Sequence, residues 1–138
     1  MLDLKGGSPR IALDAVAAAR QAGALPGVVS SRNWRLLAPV LGEPELRVVH
    51  SAANRRELRG IRRMLRSGEA RSVCVRRDLI DPGTVAALRE DAELVMVWQV
   101  REAPDARRML EWGVNALVCD DLRLIAALAA EGPPTRGS

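Results

Sequence analysis

Short apolar runs recur along the chain at a near-constant interval: Leu2 to Lys5, Gly27 to Ser30, Leu46 to His50, Ser72 to Arg76, Leu94 to Gln99 and Asn115 to Cys119. Each has the length and composition of a buried strand. Between them lie amphipathic stretches with helix punctuation. Ser8 and Pro9 read as N-cap and first helical residue, with Ile11, Ala15 and Ala19 on one face and Gly23 beyond the end. Asn54 and Glu57 have capping-box spacing and lead Leu58, Ile61 and Leu65 into an apolar stripe that stops at Gly68. Asp81-Pro82 opens a helix carrying Val85 and Leu88, and Pro104 opens another carrying Met109 and Leu110 that ends at Gly113.

Strands alternating with helices imply parallel pairing through right-handed crossovers, an α/β fold. About six βα units are expected, a partial (β/α)8 TIM-type barrel lacking about two. A complete barrel typically needs about 250 residues, so a chain of 138 holds only part of one. Either a segment lies outside it or the barrel is open. Residues 1–131 are expected to form this single domain. The stretch 132–138, with two prolines and no apolar face, is expected to be a disordered tail.

Composition narrows the function classes. An apolar share of 48% with 28% charged residues fits an ordinary globular domain. The formal charge of +4 would favour an anionic partner. However, the basic pairs Arg55-Arg56, Arg62-Arg63, Arg76-Arg77 and Arg107-Arg108 are scattered, as on solvated helix faces. The absence of Phe and Tyr removes most of the stacking surface a single-strand binder would use, so no nucleic-acid partner is expected. Cys74 and Cys119 form no metal or redox motif and read as buried, reduced thiols. No leader pattern and no membrane-spanning run appears, and a cytoplasmic location is expected.

The candidate chemistry lies at strand ends. Asp3 and Lys5 are two residues apart on an extended segment and therefore share a face. A carboxylate there can hold a hard divalent cation while the lysine neutralises a phosphate oxygen; a surface ion pair beside a turn uses the same residues. Lys5 is the only lysine in an otherwise arginine-based cation set. Ser30 and Ser31 end the second strand, placed either to line a pocket or to satisfy a turn. Trp34 reads as helix packing. Trp98 ends the fifth strand, facing a ligand or the core. Asp120 closes the last strand beside Asp121, one of which can cap the following helix. His50, the only histidine, ends the third strand, where a rim or core histidine satisfied by a backbone group is the plainer reading.

Trp98-Gln99-Val100-Arg101, then a helix, then Gly113-Val114-Asn115-Ala116 and Cys119-Asp120 resemble the C-terminal signature of the glycerophosphodiester phosphodiesterase family. Its members carry Trp-Thr-Val-Asn, Gly-Val-Asp-Gly and Thr-Asp at these places. Asp3-Leu4-Lys5 is similar to the family's mid-barrel Glu-x-Lys, and Val28-Val29-Ser30-Ser31 to its central strand. The resemblance covers Asp3 to about Ala130 but only the C-terminal portion of the family's domain. It implies metal-assisted hydrolysis of glycerophosphodiesters to an alcohol and sn-glycerol 3-phosphate in the intact enzyme. By it, Asp3 would bind the divalent metal (Mg²⁺ or Ca²⁺), Lys5 the phosphate, Trp98 the substrate's alcohol part, and Asp120 would line the pocket.

The family's His-Arg-Gly, Glu-x-Asp and later His-Asp motifs, which supply acid–base groups and further metal ligands, are absent from this chain. No catalytic acid or base is assigned, and the chain alone is expected to be inactive. The alternative is a non-catalytic binding or assembly module whose open barrel edges pair with another copy of itself. A doubly wound nucleotide binder is weaker, since Gly6-Gly7 is too short for a phosphate fingerprint.

Overall fold

The structure is a computed structural model that describes residues 1–132. The expected tail beyond Gly132 lies outside the described residues. Six strands, β1 (Leu2–Asp3), β2 (Gly27–Ser31), β3 (Leu46–Ala52), β4 (Ser72–Arg76), β5 (Leu94–Trp98) and β6 (Ala116–Val118), form one sheet in the order β1-β2-β3-β4-β5-β6. Every pairing is parallel. Helices α1 (Arg10–Gln21), α2 (Arg55–Ser67), α3 (Pro82–Asp91), α4 (Ala103–Glu111) and α5 (Leu122–Glu131) connect or follow the strands. The architecture is an α/β half-barrel, open because β1 pairs only with β2 and β6 only with β5.

The alternation of side chains along the strands divides the core into two layers. On the outer face Leu4 and Val29 meet Ala12 and Val16 of α1. Val73, Val75 and Val95 meet Leu58, Ile61 and Leu65 of α2 and Leu88 of α3. Val97 meets Ala106 and Met109 of α4. The inner face carries Val49, Cys74 and Met96, flanked by Val28, Leu94, Trp98, Ala116 and Val118, all of them strand residues. Helices therefore cover one side only, as right-handed crossovers do when the strand order steps in one direction across the sheet.

Helix boundaries follow local chemistry. The Asn54 side chain accepts from the Glu57 N–H at 2.9 Å while the Glu57 carboxylate accepts from the Ala53 N–H at 2.6 Å, a reciprocal cap on α2. Gly68 ends that helix in the left-handed region at φ 79°, where only glycine is unstrained. The first helix departs from expectation. It begins at Arg10, and its buried stripe is Ala12, Val16 and Ala19, with Ile11 37% exposed. A start one residue later, with Pro9 in the cap position, leaves Ile11 outside the stripe that faces the sheet.

The crossover from β2 to β3 contains no α-helix, only two 3₁₀ turns, Trp34–Leu36 and Ala38–Val40. Leu36, Leu37 and Val40 are nonetheless fully buried against α1, so these turns do the covering work of a helix. Trp34 packs on α2, as the sequence reading expects of it, but from a turn. Its indole N–H donates to the Ser51 carbonyl at 3.0 Å, and a Cβ added at Gly60 would lie 2.8 Å from its ring.

Gly60 is thus the residue that lets the α2 backbone approach the indole. Alanine there gains about 1 kcal/mol of helix propensity but meets an anchored ring, an overpacking cost of about 1–3 kcal/mol. Gly60→Ala is expected to destabilise the protein in denaturant unfolding, whereas the same change in a Trp34→Leu background stabilises it. Stabilisation in both backgrounds would refute the packing assignment.

Candidate functional site

The C-terminal ends of the strands open into a cavity of about 890 Å³. Asp3 and Lys5 reach it from the β1 end, Ser30 from β2, Trp98 from β5 and Asp120 from the β6 end. Residues from the two edge strands therefore line one cavity. In (β/α) barrels the strand C-termini are the face on which ligands are bound.

Lys5 lies just beyond β1, and its ammonium contacts the Asp3 carboxylate at 2.8 Å; both side chains are substantially exposed. Asp3 is the one carboxylate that β1 offers, and it is already matched by a cation. Among the described residues no group of three or more His, Cys, Asp or Glu side chains is placed to hold a metal ion. A hard divalent cation takes about six or more oxygens, or several waters around one or two carboxylates and a phosphate. The side chains present do not fit such a site, so the expected role of Asp3 as a metal ligand has no supporting donor set here.

The two serines divide the roles open to them. The Ser31 hydroxyl donates to the Leu4 carbonyl at 2.9 Å and accepts from the Asn33 N–H at 3.1 Å, closing the turn after β2. Ser30 lines the cavity. The aspartates divide likewise. Both line the cavity, but the Asp121 carboxylate accepts from the Arg123 N–H at 2.8 Å and caps α5, while the exposed Asp120 is not engaged in the cap. Trp98 combines both of its readings: its ring is half-buried beside the inner strip, it lines the cavity, and its indole N–H donates to the Ala52 carbonyl at 3.4 Å.

Several lining residues escaped the sequence reading. Gln99 has φ 65°, the only non-glycine residue with a positive φ among those described. That turn, directly after β5, leaves Val100 buried against Ala106 and Met109 while Gln99 and Arg101 line the cavity. Arg123 at the start of α5 and Arg32 after β2 add cations. Arg32 pairs with Glu57 at 2.9 Å, whereas Arg101 and Arg123 have no carboxylate at ion-pair distance among the described residues. Their signal in the sequence was position alone, a cation within a few residues of a strand end.

Cys74 lies on the inner face at the cavity's floor. Burial, reinforced by the charge of Asp3, pushes its thiol up to about 12, so it is a neutral packing group and not a nucleophile. Cys119 is free and half-buried. His50 points the other way, into the outer layer, with its ring 6.2 Å from that of Trp34 in an edge-to-face arrangement. Its Nδ1 has no hydrogen-bond partner, contrary to the expected backbone satisfaction. The single histidine is not part of the cavity.

No family model and no curated protein matches the chain. Solved structures do match in fold. A protein from Silicibacter pomeroyi assigned as a glycerophosphoryl diester phosphodiesterase aligns over 94% of this chain and 50% of its own, with TM-score 0.73 and 21% identity. A second protein so assigned, from Agrobacterium tumefaciens, aligns over 94% and 56%, with TM-score 0.79 and 15% identity. An Oleispira antarctica phosphodiesterase in complex with its product sn-glycerol-3-phosphate aligns over 93% and 54%, with TM-score 0.74 and 16% identity. The chain spans about half the length of these proteins, and its fold is that of part of their barrel. Among the described residues no helix is long and apolar enough to cross a membrane.

Burial holds the His50 imidazole below its ordinary range, favouring the neutral form in the folded protein. The unfolded chain, with a histidine near 6.5, then binds the proton more readily. Stability from this group is complete above about pH 6.5 and is lost as pH falls through that value, by at most about 1.4 kcal/mol per pH unit. His50→Gln is expected to flatten the slope of unfolding free energy between about pH 6.5 and 5.5. Equal slopes in variant and parent would contradict the burial.

Proposed function

We propose that this chain forms the substrate-phosphate half of a glycerophosphodiester phosphodiesterase site, in a protein that hydrolyses glycerophosphodiesters to an alcohol and sn-glycerol 3-phosphate. The observation that carries this reading is the convergence of Lys5, Trp98 and Asp120, from both sheet edges, on one cavity of a barrel whose structural neighbour holds sn-glycerol-3-phosphate. The Lys5 ammonium, oriented by Asp3, meets a phosphate oxygen. Arg101 and Arg123 add two further cations for the remaining oxygens. The indole of Trp98 packs on the carbon skeleton of the alcohol part, and the Asp120 carboxylate accepts from a glycerol hydroxyl. Proton transfer is not assigned to any residue of this chain, since His50, in register with outer-layer Val73 and beside Trp34, lies in the opposite layer.

A second reading, assembly through the sheet edges, is favoured by one feature. Leu122 beside β6 is 79% exposed and Met1 beside β1 is 58% exposed, and both edges are unpaired. Light scattering that finds only a folded 15.0 kDa monomer would dismiss it.

The phosphodiesterase reading is tested by following release of sn-glycerol 3-phosphate from a glycerophosphodiester by the full protein, with Mg²⁺ or Ca²⁺ supplied. Loss of a charge-assisted hydrogen bond costs about 1.5–3 kcal/mol, so Lys5→Ala is expected to lower kcat/KM on the order of 10- to 100-fold. Asp3→Ala, which frees the ammonium, should raise KM more than it lowers kcat. No turnover by the parent protein, or an unchanged kcat/KM in Lys5→Ala, overturns the reading.

A further inference from the structure

The α2 sequence Arg-Arg-Glu-Leu-Arg-Gly-Ile-Arg-Arg-Met-Leu-Arg-Ser contains six arginines and one carboxylate, Glu57. Leu58, Ile61 and Leu65 face the sheet, and the arginines spread over the opposite side. A solvated helix face ordinarily mixes signs. Here Arg55 and Arg59, Arg59 and Arg63, and Arg62 and Arg66 are each four residues apart, at which like charges repel.

Elsewhere several arginines are matched, Arg20 by Glu43 and Glu45, Arg47 and Arg71 by Glu93, Arg76 by Asp78, Arg107 by Glu131, whereas Arg101 and Arg123 at the cavity and Arg35 beside α2 have no such partner among the described residues. On α2 only Arg66 has an acidic partner, Asp91 at 3.8 Å, among the described residues. A groove of about 740 Å³ runs beside this unmatched row. The turn after β2 lines it with Arg32 and Arg35, α2 with Arg56, Arg59 and Arg63, and Trp34 lies between them. Its one carboxylate, Glu57, is occupied by Arg32 and by the Ala53 N–H. Partial burial raises that carboxyl, but these hydrogen bonds outweigh it and hold it below its usual range, ionised and matched.

We propose that this groove is a track for an extended polyanion of repeating phosphodiester groups. Arg32 lines both the groove and the cavity at the strand ends, so a chain lying in the track leads one of its phosphodiesters to Lys5. That last connection rests on the phosphodiesterase reading; the track itself does not. Recognition is of the phosphate backbone, because guanidinium forks bind phosphate oxygens in pairs, and the groove's one aromatic ring, Trp34, is packed against Gly60 with its N–H donated to the Ser51 carbonyl. A flat anionic bilayer fits less well. The exposed large hydrophobic residues are Met1, Ile11, Leu13, Leu41, Leu122 and Ile125, none of them on α2 or in the 32–35 turn to anchor in lipid.

The test is fluorescence anisotropy with the full protein and a labelled single-stranded oligothymidylate of about twelve nucleotides, long enough to span the roughly 20 Å of α2. The triple variant Arg56→Ala/Arg59→Ala/Arg63→Ala is expected to bind at least about tenfold more weakly at low salt, with the slope of log affinity against log salt reduced by about 2. None of the three residues lines the cavity, so hydrolysis of a small glycerophosphodiester should be unchanged in this variant. Absence of hydrolysis in the parent would remove the phosphodiesterase reading while leaving the binding measurement intact. Equal oligonucleotide affinity and salt slope in parent and variant overturn the track. So does capture by phosphatidylserine vesicles, dependent on the same arginines, without oligonucleotide binding.

Discussion

A parallel sheet has to be shielded on both faces, because its strands are apolar on both, and right-handed crossovers that step in one direction, as the order β1 to β6 does, supply helices to only one. In this chain the curl of the sheet meets the second requirement. Val49, Cys74 and Met96 are 0%, 2% and 7% exposed although no helical residue belongs to their cluster. The strands shield one another by bending toward a common axis. That same bend brings the ends of β1 and β6, the two edges of an open sheet, to one cavity. Core and site are consequences of a single curvature, and a flatter sheet would lose both.

The chemistry of the cavity follows from which charges are already engaged. Asp3 is matched by Lys5, Arg32 by Glu57, and Asp121 by the first turn of α5. Arg101 and Arg123 remain, beside an aromatic ring and one carboxylate. An arrangement with cations to spare and few carboxylates suits a phosphate ester better than a divalent ion. The chain spans about half the length of the matched proteins that share its fold.

Much of the fold was legible because the punctuation was strong. Asn54 with Glu57, Gly68 and Asp81-Pro82 bound their helices as read. The segment before β3 was less legible: Pro39 and the run Leu36-Leu37 give no helical period, yet buried apolar residues on two 3₁₀ turns cover the sheet. Periodicity reports helices, not coverage. At the site, strand ends located Asp3, Lys5, Trp98 and Asp120 on one cavity. For Asp3 the sequence offered both a metal ligand and a surface ion pair with Lys5, and only side-chain geometry, a 2.8 Å contact, shows the pair formed. Arg101 was hidden for a similar reason: only the left-handed turn at Gln99 sets it beside the cavity. The α2 arginines were visible one by one, but their lack of partners emerges only once the rest of the molecule's carboxylates are assigned.

Curvature brings both sheet edges to one cavity, and amide and indole NMR during titration with sn-glycerol 3-phosphate reads whether both edges bind the proposed phosphate. The account predicts concerted shifts at Lys5 from the first edge, at Asp120 and Arg123 from the last, and at the Trp98 indole between them, with the Trp34 indole in the outer layer unmoved. Shifts confined to one edge, or a response at Trp34 without one at Lys5 and Trp98, would contradict it.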